Sequence, residues 1–168
     1  MVAVSIVAIL LAVGVPSYKS VTTANRISSE VNGLLGDLQL ARSQAIKQGQ
    51  PVTVCVSRDG ATCTGGAAWS NGWIVFSDPN GNAAADVGEA VLRVQKTFTS
   101  TDTFNASNNV TAVSFNREGI AVGVLNGALI KLQDASGTNA WTRCLSVTRV
   151  GLVWTQMHGT TTNGVTCT

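Results

Sequence analysis

The sequence predicts an α+β fold in which a long, kinked N-terminal helix packs on an antiparallel β-sheet head. Two patterns along the chain carry this prediction. Apolar residues recur every three or four positions up to Gly49, as on one face of a helix, and every second position after Pro51, as in half-buried strands. The 168 residues suffice for one domain with a buried core, and no linker or internal repeat divides them.

Composition narrows the functional classes. The chain is 45% hydrophobic and 12% charged, which is typical of a folded protein and excludes a long disordered chain. A net charge of +2 is too small to indicate nucleic-acid binding by itself, so that function would need a local basic patch.

The first 15 residues form an uncharged, largely aliphatic segment. Fifteen helical residues span roughly 22 Å, which is less than the about 30 Å of a bilayer core, and the segment lacks the features of a secretory signal. We predict a transmembrane helix whose first turns lie outside this sequence; the alternative is a buried core helix. The chain then divides into a helix segment, residues 1–17, and a head, residues 18–168. The residues predicted to pack in the membrane are Val2, Val4, Ile6, Ile9, Leu10, Val13 and Pro16.

Residues 18–49 have the pattern of an amphipathic helix that continues the apolar segment. Pro16 should kink this helix, because proline cannot donate to the carbonyl group four residues earlier. Gly49 and Pro51 are stop signals. The face expected to pack on the sheet consists of Ala24, Ile27, Val31, Leu34, Leu38, Ala41 and Ala45.

Short apolar or alternating runs, separated by turn residues such as Asn126-Gly127, predict the strands of the head. The helix and this sheet should share one core. Residues 98–109, rich in Thr, Ser and Asn, are expected to form an exposed loop or edge. The strand candidates are residues 52–56, 73–76, 90–96, 110–115, 120–124, 128–132, 143–148 and 152–155.

The four cysteines indicate two disulfides and an oxidising compartment. Three pairings exist. Cys55 and Cys63 flank a turn-rich segment and could close a hairpin, in which case Cys167 would tie the tail to Cys144. Zinc is the rival interpretation, but neither pair has the C-x₂₋₄-C spacing of zinc ligands.

Several motifs follow the apolar helix in a fixed order over nearly the whole chain. They are residues 1–18, 40–45, 54–55 with Cys63, 73–81, 89–93, 115–119 and 144–147. Together they resemble the type IV pilin class, and within it the GspH/FimT/FimU group of minor pilins and pseudopilins. Residues 1–18 are similar to the family's N-terminal helix after its processing motif. The family's glutamate and its cleavage and methylation sites therefore have no counterpart in this sequence.

The resemblance implies a structural subunit, not an enzyme, that assembles or primes a type IV pilus or a type II secretion pseudopilus. The implied partners are other pilins or pseudopilins and the inner membrane. The helix would first hold the subunit there as a single-pass protein with a periplasmic head, and would later pack against neighbouring helices in the filament. After assembly, the subunit would lie in a cell-surface pilus or a periplasmic pseudopilus.

A DNA-binding competence pilin is the alternative that the resemblance raises. Some FimT proteins bind DNA through a C-terminal Gly-Arg-x-Arg motif, and the corresponding stretch here is residues 151–154, which read Gly-Leu-Val-Trp. Both arginines of the motif are absent. DNA affinity depends on cationic contacts to phosphates, so any such contact would fall to Arg143 and Arg149.

One loop has the oxygen-ligand spacing of a calcium site. Asp78, Asn80, Asn82, Asp86 and Glu89 match positions 1, 3, 5, 9 and 12 of the calcium-loop template. The glycine that the template requires at position 6 is replaced by Ala83, and the flanking runs read as strands. A polar turn without metal is the favoured interpretation, calcium is the alternative, and no other cofactor is predicted.

The remaining chemical candidates are the single histidine and the tryptophans. His158 has no nucleophile elbow such as G-x-S-x-G to serve, so we expect an exposed loop residue and not a catalytic base. Trp73 lies in an apolar run and should be buried. Trp69 and Trp141 stand beside turns and are the candidates for exposed stacking or subunit contacts.

Overall fold

The computed structural model describes residues 2–124 and 127–168, and it describes side chains from Tyr18 onward. The chain begins with one helix, α1, which spans Val2–Gln48 and passes through Pro16 without interruption. It ends at Gly49, where φ is +67° and the amide donates to the carbonyl oxygen of Ala45 at 3.0 Å. The predicted stop signal is thus a glycine in the left-handed conformation, as is common after helices.

Eleven strands follow in the described part of the chain, and every pairing between them is antiparallel. They form a five-stranded sheet of order β3-β2-β1-β5-β6, a four-stranded sheet of order β4-β7-β8-β9, and the hairpin β10-β11. The strands are β1 Val52–Val56, β2 Trp73–Ser77, β3 Val91–Gln95, β4 Thr103–Ala106, β5 Ala112–Phe115, β6 Ala121–Val122, β7 Ala128–Gln133, β8 Arg143–Val147, β9 Val153–Met157, β10 Thr161–Thr162 and β11 Val165–Thr166. The α+β class is therefore confirmed, and each of the eight predicted strand positions holds a strand.

The head has two main sheets under one helix instead of the single sheet that the strand pattern suggested. Both sheets contribute to one core with the predicted face of α1, in which every residue from Ile27 onward is buried; only Ala24, at its start, is partly exposed. The sheet residues packed there include Val54, Val113, Ile130 and Leu145. Period-two patterns reveal strands but not which strands pair, so the division into two sheets was not available from the sequence.

Strand β1 is buried on both faces, although its alternation predicted one polar face. Its outward Cys55 packs with Ile74 and Phe76 in a second apolar cluster, and the loops that carry Cys63 and Ala85 cover that cluster. The opposite error occurs at β3, which is an edge strand exposed along most of its length. Whether a face of this sheet is exposed to solvent therefore depends on which loops pack over it and not on the alternation of residues within its strands.

The segment 98–109 is an edge, as predicted, but it is not exposed throughout. It contains β4, the edge strand of the four-stranded sheet, whose Phe104 is fully buried. The ring centroid of Trp73 lies 5.8 Å from that of Phe98 and 6.2 Å from that of Phe104. The two phenylalanines pack at the edge of the core beside the helix. Their burial was not predicted, because most residues around them in the sequence are polar.

Candidate functional site

The junction between helix and head is organised around a buried carboxylate. Asp37, on α1, lies 2.6 Å from Arg93 Nε through one oxygen and accepts a hydrogen bond from Trp73 Nε1 at 2.8 Å through the other. Its side chain is only 5% exposed. Burial raises the pKa of Asp37 and outweighs the opposing effects of the Trp73 hydrogen bond and the Arg93 charge. This contact fixes the rotation of α1 on the five-stranded sheet, because β2 and the edge strand β3 both hold one side chain of the helix.

A second polar contact ties the helix to the start of β4. Arg26 binds both carboxylate oxygens of Asp102, at 2.6 and 2.9 Å, and Asp102 is buried. One turn later, Glu30 accepts a hydrogen bond from Ser100 Oγ at 3.3 Å, while its other oxygen finds no partner among the described residues. Burial and the nearby charge of Asp102 raise the pKa of Glu30. Polar side chains, and not apolar ones, therefore surround α1 where it leaves the head.

The residues predicted to pack in the membrane have side chains outside the described part of the structure. This applies to Val2, Val4, Ile6, Ile9, Leu10, Val13 and Pro16, of which only the helical backbone is described. Packing at these positions and a kink at Pro16 stay predictions. In the described part of the chain, no helix is sufficiently long and apolar to cross a membrane.

Two disulfides join the four cysteines, as predicted. Cys55 bonds to Cys63 and closes the loop after β1, and Cys144 bonds to Cys167. Cys144 and Cys167 are fully buried, so the second bond holds the C-terminal hairpin against the outer face of the four-stranded sheet. The described chain has no free cysteine.

The five residues of the calcium template share one loop, between β2 and β3, in which their oxygens are engaged with the protein. Asp78 is fully buried and accepts hydrogen bonds from Thr53 Oγ1 at 2.7 Å and from two loop amides. Asn80 and Asn82 both donate to Asp86, and this lowers the pKa of that carboxyl. The amide of Asp86 in turn donates to Glu89 at 3.0 Å. Among the described residues, no group of three or more His, Cys, Asp or Glu side chains has an arrangement suited to a metal ion. Calcium binding stays the alternative to the favoured interpretation of a polar turn without metal.

The two arginines considered for DNA contact do not form one patch. Arg143 begins β8 and donates to the carbonyl oxygens of Ala140 and Thr142, whereas Arg149 lies exposed in the turn after that strand. Arg143 is the first residue of the five-residue strand β8, whose ends are about 13 Å apart, and Arg149 lies two residues beyond its other end. The side chain that the turn presents next to Arg149 is aliphatic, since Val150 is 61% exposed. The arrangement gives the DNA-binding alternative no support.

The tryptophans correct one prediction. Trp69, expected to be exposed beside a turn, is fully buried, because its ring packs 6.4 Å from that of Trp73 and its Nε1 donates to the carbonyl oxygen of Val110. Trp73 is buried as expected, and Trp141 packs partly buried against the core. His158 lies in a turn as expected, but it is half-buried and not exposed, and its Nδ1 has no hydrogen-bond partner among the described residues.

A contact that sequence reasoning missed joins the two sheets below the end of the helix. Arg42 Nε donates to the carbonyl oxygen of Gly119 at 3.1 Å, and Gly151 lies against the same carbonyl. Gly119 and Gly151 stand in the β5–β6 and β8–β9 turns, and their φ angles are +76° and +78°. Each glycine lies between two predicted strands, but nothing in the local pattern indicated that the two turns meet.

One long helix packed on antiparallel sheets, with the start of the helix outside the head, is the architecture of pilin-like subunits. The chain is similar to the type IV minor pilin FimU of Pseudomonas aeruginosa in two crystal forms, each at 21% identity. In the P21 form the TM-score is 0.61, with 80% of this chain and 89% of that chain covered; in the P65 form it is 0.60, with 77% and 91% covered. These likenesses establish a pilin-like fold.

Residues 30–151 match the family model described as type II transport protein GspH, and the chain therefore belongs to the GspH family. No curated protein matches the chain significantly. The protein is a minor pilin or pseudopilin, a structural class whose members associate with other pilins or pseudopilins in a pilus or pseudopilus.

Proposed function

We propose that this subunit is held in the inner membrane by residues 1–15, with its head in the periplasm, and that it then primes or extends a filament by transferring that helix from lipid to neighbouring helices. The observation that supports this proposal is that α1 is much longer than the part of it that packs on the head. The helix has 47 residues, about 70 Å at 1.5 Å per residue, whereas its buried face begins only at Ile27. Tyr18 and Val21, just before it, are 72% and 55% exposed.

The physical basis of this transfer is a balance of contacts. Lipid tails are as apolar as aliphatic side chains, so helices associate in a membrane through close packing and polar contacts and not through the hydrophobic effect. Residues 1–15 contain no charge and few polar groups, so they suit both lipid and a helix-lined filament core. The head remains folded throughout, because its core begins after this segment.

The experiment follows the full chain through membrane and filament fractions of cells that assemble the filament. Ile9→Arg places a charge in the middle of residues 1–15, where it costs about 2.5–3.5 kcal/mol in a membrane helix. Met157→Arg, at a residue that is 60% exposed on β9, is the matched control. We expect Ile9→Arg to leave both fractions and the control to stay in both.

Retention of Ile9→Arg in membranes and filaments at the level of the control would refute the proposal. Recovery of the unmodified chain in sheared surface filaments would assign it to a pilus, and recovery only with periplasmic secretion components would assign it to a pseudopilus.

A further inference from the structure

A cavity of about 330 Å³ lies between α1 and the segment that follows β3. Glu30 and Gly33 line it from the helix, and Thr97 and Phe98 line it from the segment after the strand. A β-carbon on Gly33 would meet open space, so the glycine leaves room beside the helix at this point. Among the described residues that line the cavity, Glu30 is the one charged group. We call this cavity the Glu30 site.

The carboxylate of Glu30 is only partly bonded within the protein. One oxygen accepts a hydrogen bond from Ser100 Oγ at 3.3 Å, which is longer than the usual distance for a hydroxyl donor. The other oxygen is buried and has no partner among the described residues. A carboxylate oxygen that has lost water and gained no donor is costly. The Glu30 site therefore lacks a hydrogen-bond donor.

The neighbouring charges do not supply that donor. The Arg26 guanidinium binds both oxygens of the buried Asp102, at 2.6 and 2.9 Å. One positive charge and two carboxylates leave this group of three residues with a net charge of −1 when both acids are ionised. Burial and the charge of Asp102 raise the pKa of Glu30, because no cation compensates its negative charge. A cation bound in the cavity would provide this compensation.

We propose that the Glu30 site binds a primary ammonium group, carried by a lysine side chain of a different, neighbouring filament subunit or by a free polyamine. An ammonium group has three donors, and the hydroxyl groups of Ser29 and Thr97 on the cavity wall are acceptors beside the carboxylate. The rings of Trp73 and Phe98 also line the cavity, and aromatic rings attract cations. The terminal torsion of a glutamate is soft, so either oxygen of Glu30 can turn toward the cation.

Two other cations fit this site less well. A hard metal ion takes six or more oxygen ligands, and among the described residues no group of three or more His, Cys, Asp or Glu side chains is arranged for a metal. A guanidinium group pairs best with both oxygens of a carboxylate at once, whereas one oxygen of Glu30 already accepts from Ser100. A compact ammonium group needs only one free oxygen.

The test is a titration of the full chain in detergent micelles with pentylamine, followed by the NMR signal of the Trp73 indole N–H. Trp73 lines the cavity, and its Nε1 donates to Asp37 at 2.8 Å, so this signal reports on the site. We expect a saturable shift with pentylamine and none with the uncharged 1-pentanol. The indole signals of Trp141 and Trp154, which do not line the cavity, are internal references.

Two variants, each with a matched control, connect this signal to the site. Glu30→Gln removes the charge and should weaken pentylamine binding at least about tenfold, whereas Glu118→Gln, at an exposed glutamate paired with Arg117, should not. Gly33→Leu fills the cavity and should abolish binding while Glu30 stays in place. Gly36→Leu makes the same change at an exposed helix position outside the cavity and should leave binding unchanged.

Three results would overturn the proposal. They are the absence of a saturable Trp73 shift, an equal shift with 1-pentanol, and an unchanged affinity in Glu30→Gln. Thermal unfolding of each variant checks that the head is intact.

Carbodiimide treatment of filaments that contain the chain identifies the source of the ammonium group, because it couples a carboxylate to an amine in contact with it. A cross-link from Glu30 to a lysine of another subunit would identify a neighbouring chain. An adduct with the mass of a polyamine would identify a free polyamine. If Glu30 gives neither product while the exposed Glu118 reacts, the proposal is wrong for the assembled protein.

The titration does not depend on the proposed function, since it needs neither a membrane nor a filament. If pentylamine binds at Glu30 but Ile9→Arg still enters filaments, the ammonium site stands and the membrane-to-filament transfer is wrong. If Ile9→Arg leaves the filament fraction but Trp73 does not respond to pentylamine, the transfer stands and the ammonium site is wrong.

Discussion

Gly151 lies so close to the carbonyl oxygen of Gly119 that a β-carbon on Gly151 would overlap this oxygen. The same carbonyl accepts the hydrogen bond from Arg42, and the amide of Ala121 donates to the carbonyl oxygen of Arg149 at 3.0 Å. Turns from both main sheets therefore meet beneath the last turns of α1. Only glycine permits this approach, so Gly151 has a packing role in this chain that is independent of DNA binding.

Gly151→Ala should destabilise the head by about 3 kcal/mol or more, because it adds a backbone clash to the cost of a side chain at positive φ. The matched control is Gly159→Ala, with φ +77° and open space around its missing β-carbon, for which about 1 kcal/mol is expected. Urea unfolding of both variants measures the difference. Equal losses would mean that the meeting of the two turns contributes nothing to stability.

Asp37 should give the head an unusual response to acid. Its pKa is raised by burial, so the folded state holds this proton more tightly than the unfolded state. The stability from this group is therefore fully present below the ordinary aspartate pKa near 4 and is lost as the pH rises through the folded value. Asparagine does not titrate, so Asp37→Asn should not show this loss. As the pH rises from about 4 through the folded pKa of Asp37, the unmodified chain should lose stability relative to Asp37→Asn.

The comparison for this pH effect is Asp86→Asn, measured by urea unfolding at the same pH values. Hydrogen bonds from Asn80 and Asn82 lower the pKa of Asp86, so its contribution is present above the ordinary aspartate pKa and lost as the pH falls through the folded value. The two variants should thus show pH dependences of opposite sign. Dependences of the same sign would contradict the assignment of burial to Asp37 and hydrogen bonding to Asp86.

The disulfides should differ in their contributions to stability. The Cys144–Cys167 bond spans a sequence separation of 23 and the Cys55–Cys63 bond one of 8. Loop-closure entropy gives about 3.4 and 2.5 kcal/mol for loops of these sizes. We expect the paired replacement of Cys144 and Cys167 by alanine to lower the unfolding free energy more than the replacement of Cys55 and Cys63, and to make the C-terminal hairpin the first site of limited proteolysis. First cleavage elsewhere in the head would contradict the predicted role of the tail bond.

DNA binding by the full chain should be weak and nearly free of specific arginine effects. Because Arg143 and Arg149 do not converge, a plot of log affinity against log salt should have a slope no steeper than about −2, which corresponds to two phosphate contacts. Arg149→Ala and Arg143→Ala should change this slope no more than the control Arg117→Ala does. Arg117 is an exposed arginine paired with Glu118. A steep slope that falls in the first two variants alone would restore the DNA-uptake interpretation.

The sequence was informative where structure follows from local periodicity. The face of α1 from Ile27 to Ala45 and the eight strand positions were predicted because side-chain spacing alone defines them. Long-range contacts were not accessible in this way. Arg42 and Gly119 are 77 residues apart and Asp37 and Trp73 are 36 apart, and neither pair has a local signature. Trp69 was misplaced for a related reason, since a turn neighbour becomes buried when another segment packs over it.

The uninterrupted helix also has a mechanical consequence. Tension on a filament acts along the filament axis, and α1 is the element expected to carry this tension within the subunit. The same helix lies at the centre of the head core. Tension on its N-terminal end would reach the six buried apolar helix residues from Ile27 to Ala45 together, as shear, instead of peeling one strand at a time from an edge. The Arg26–Asp102 and Asp37–Arg93 contacts act along the same rod. The head should therefore resist pulling through its helix better than pulling through its C-terminal hairpin.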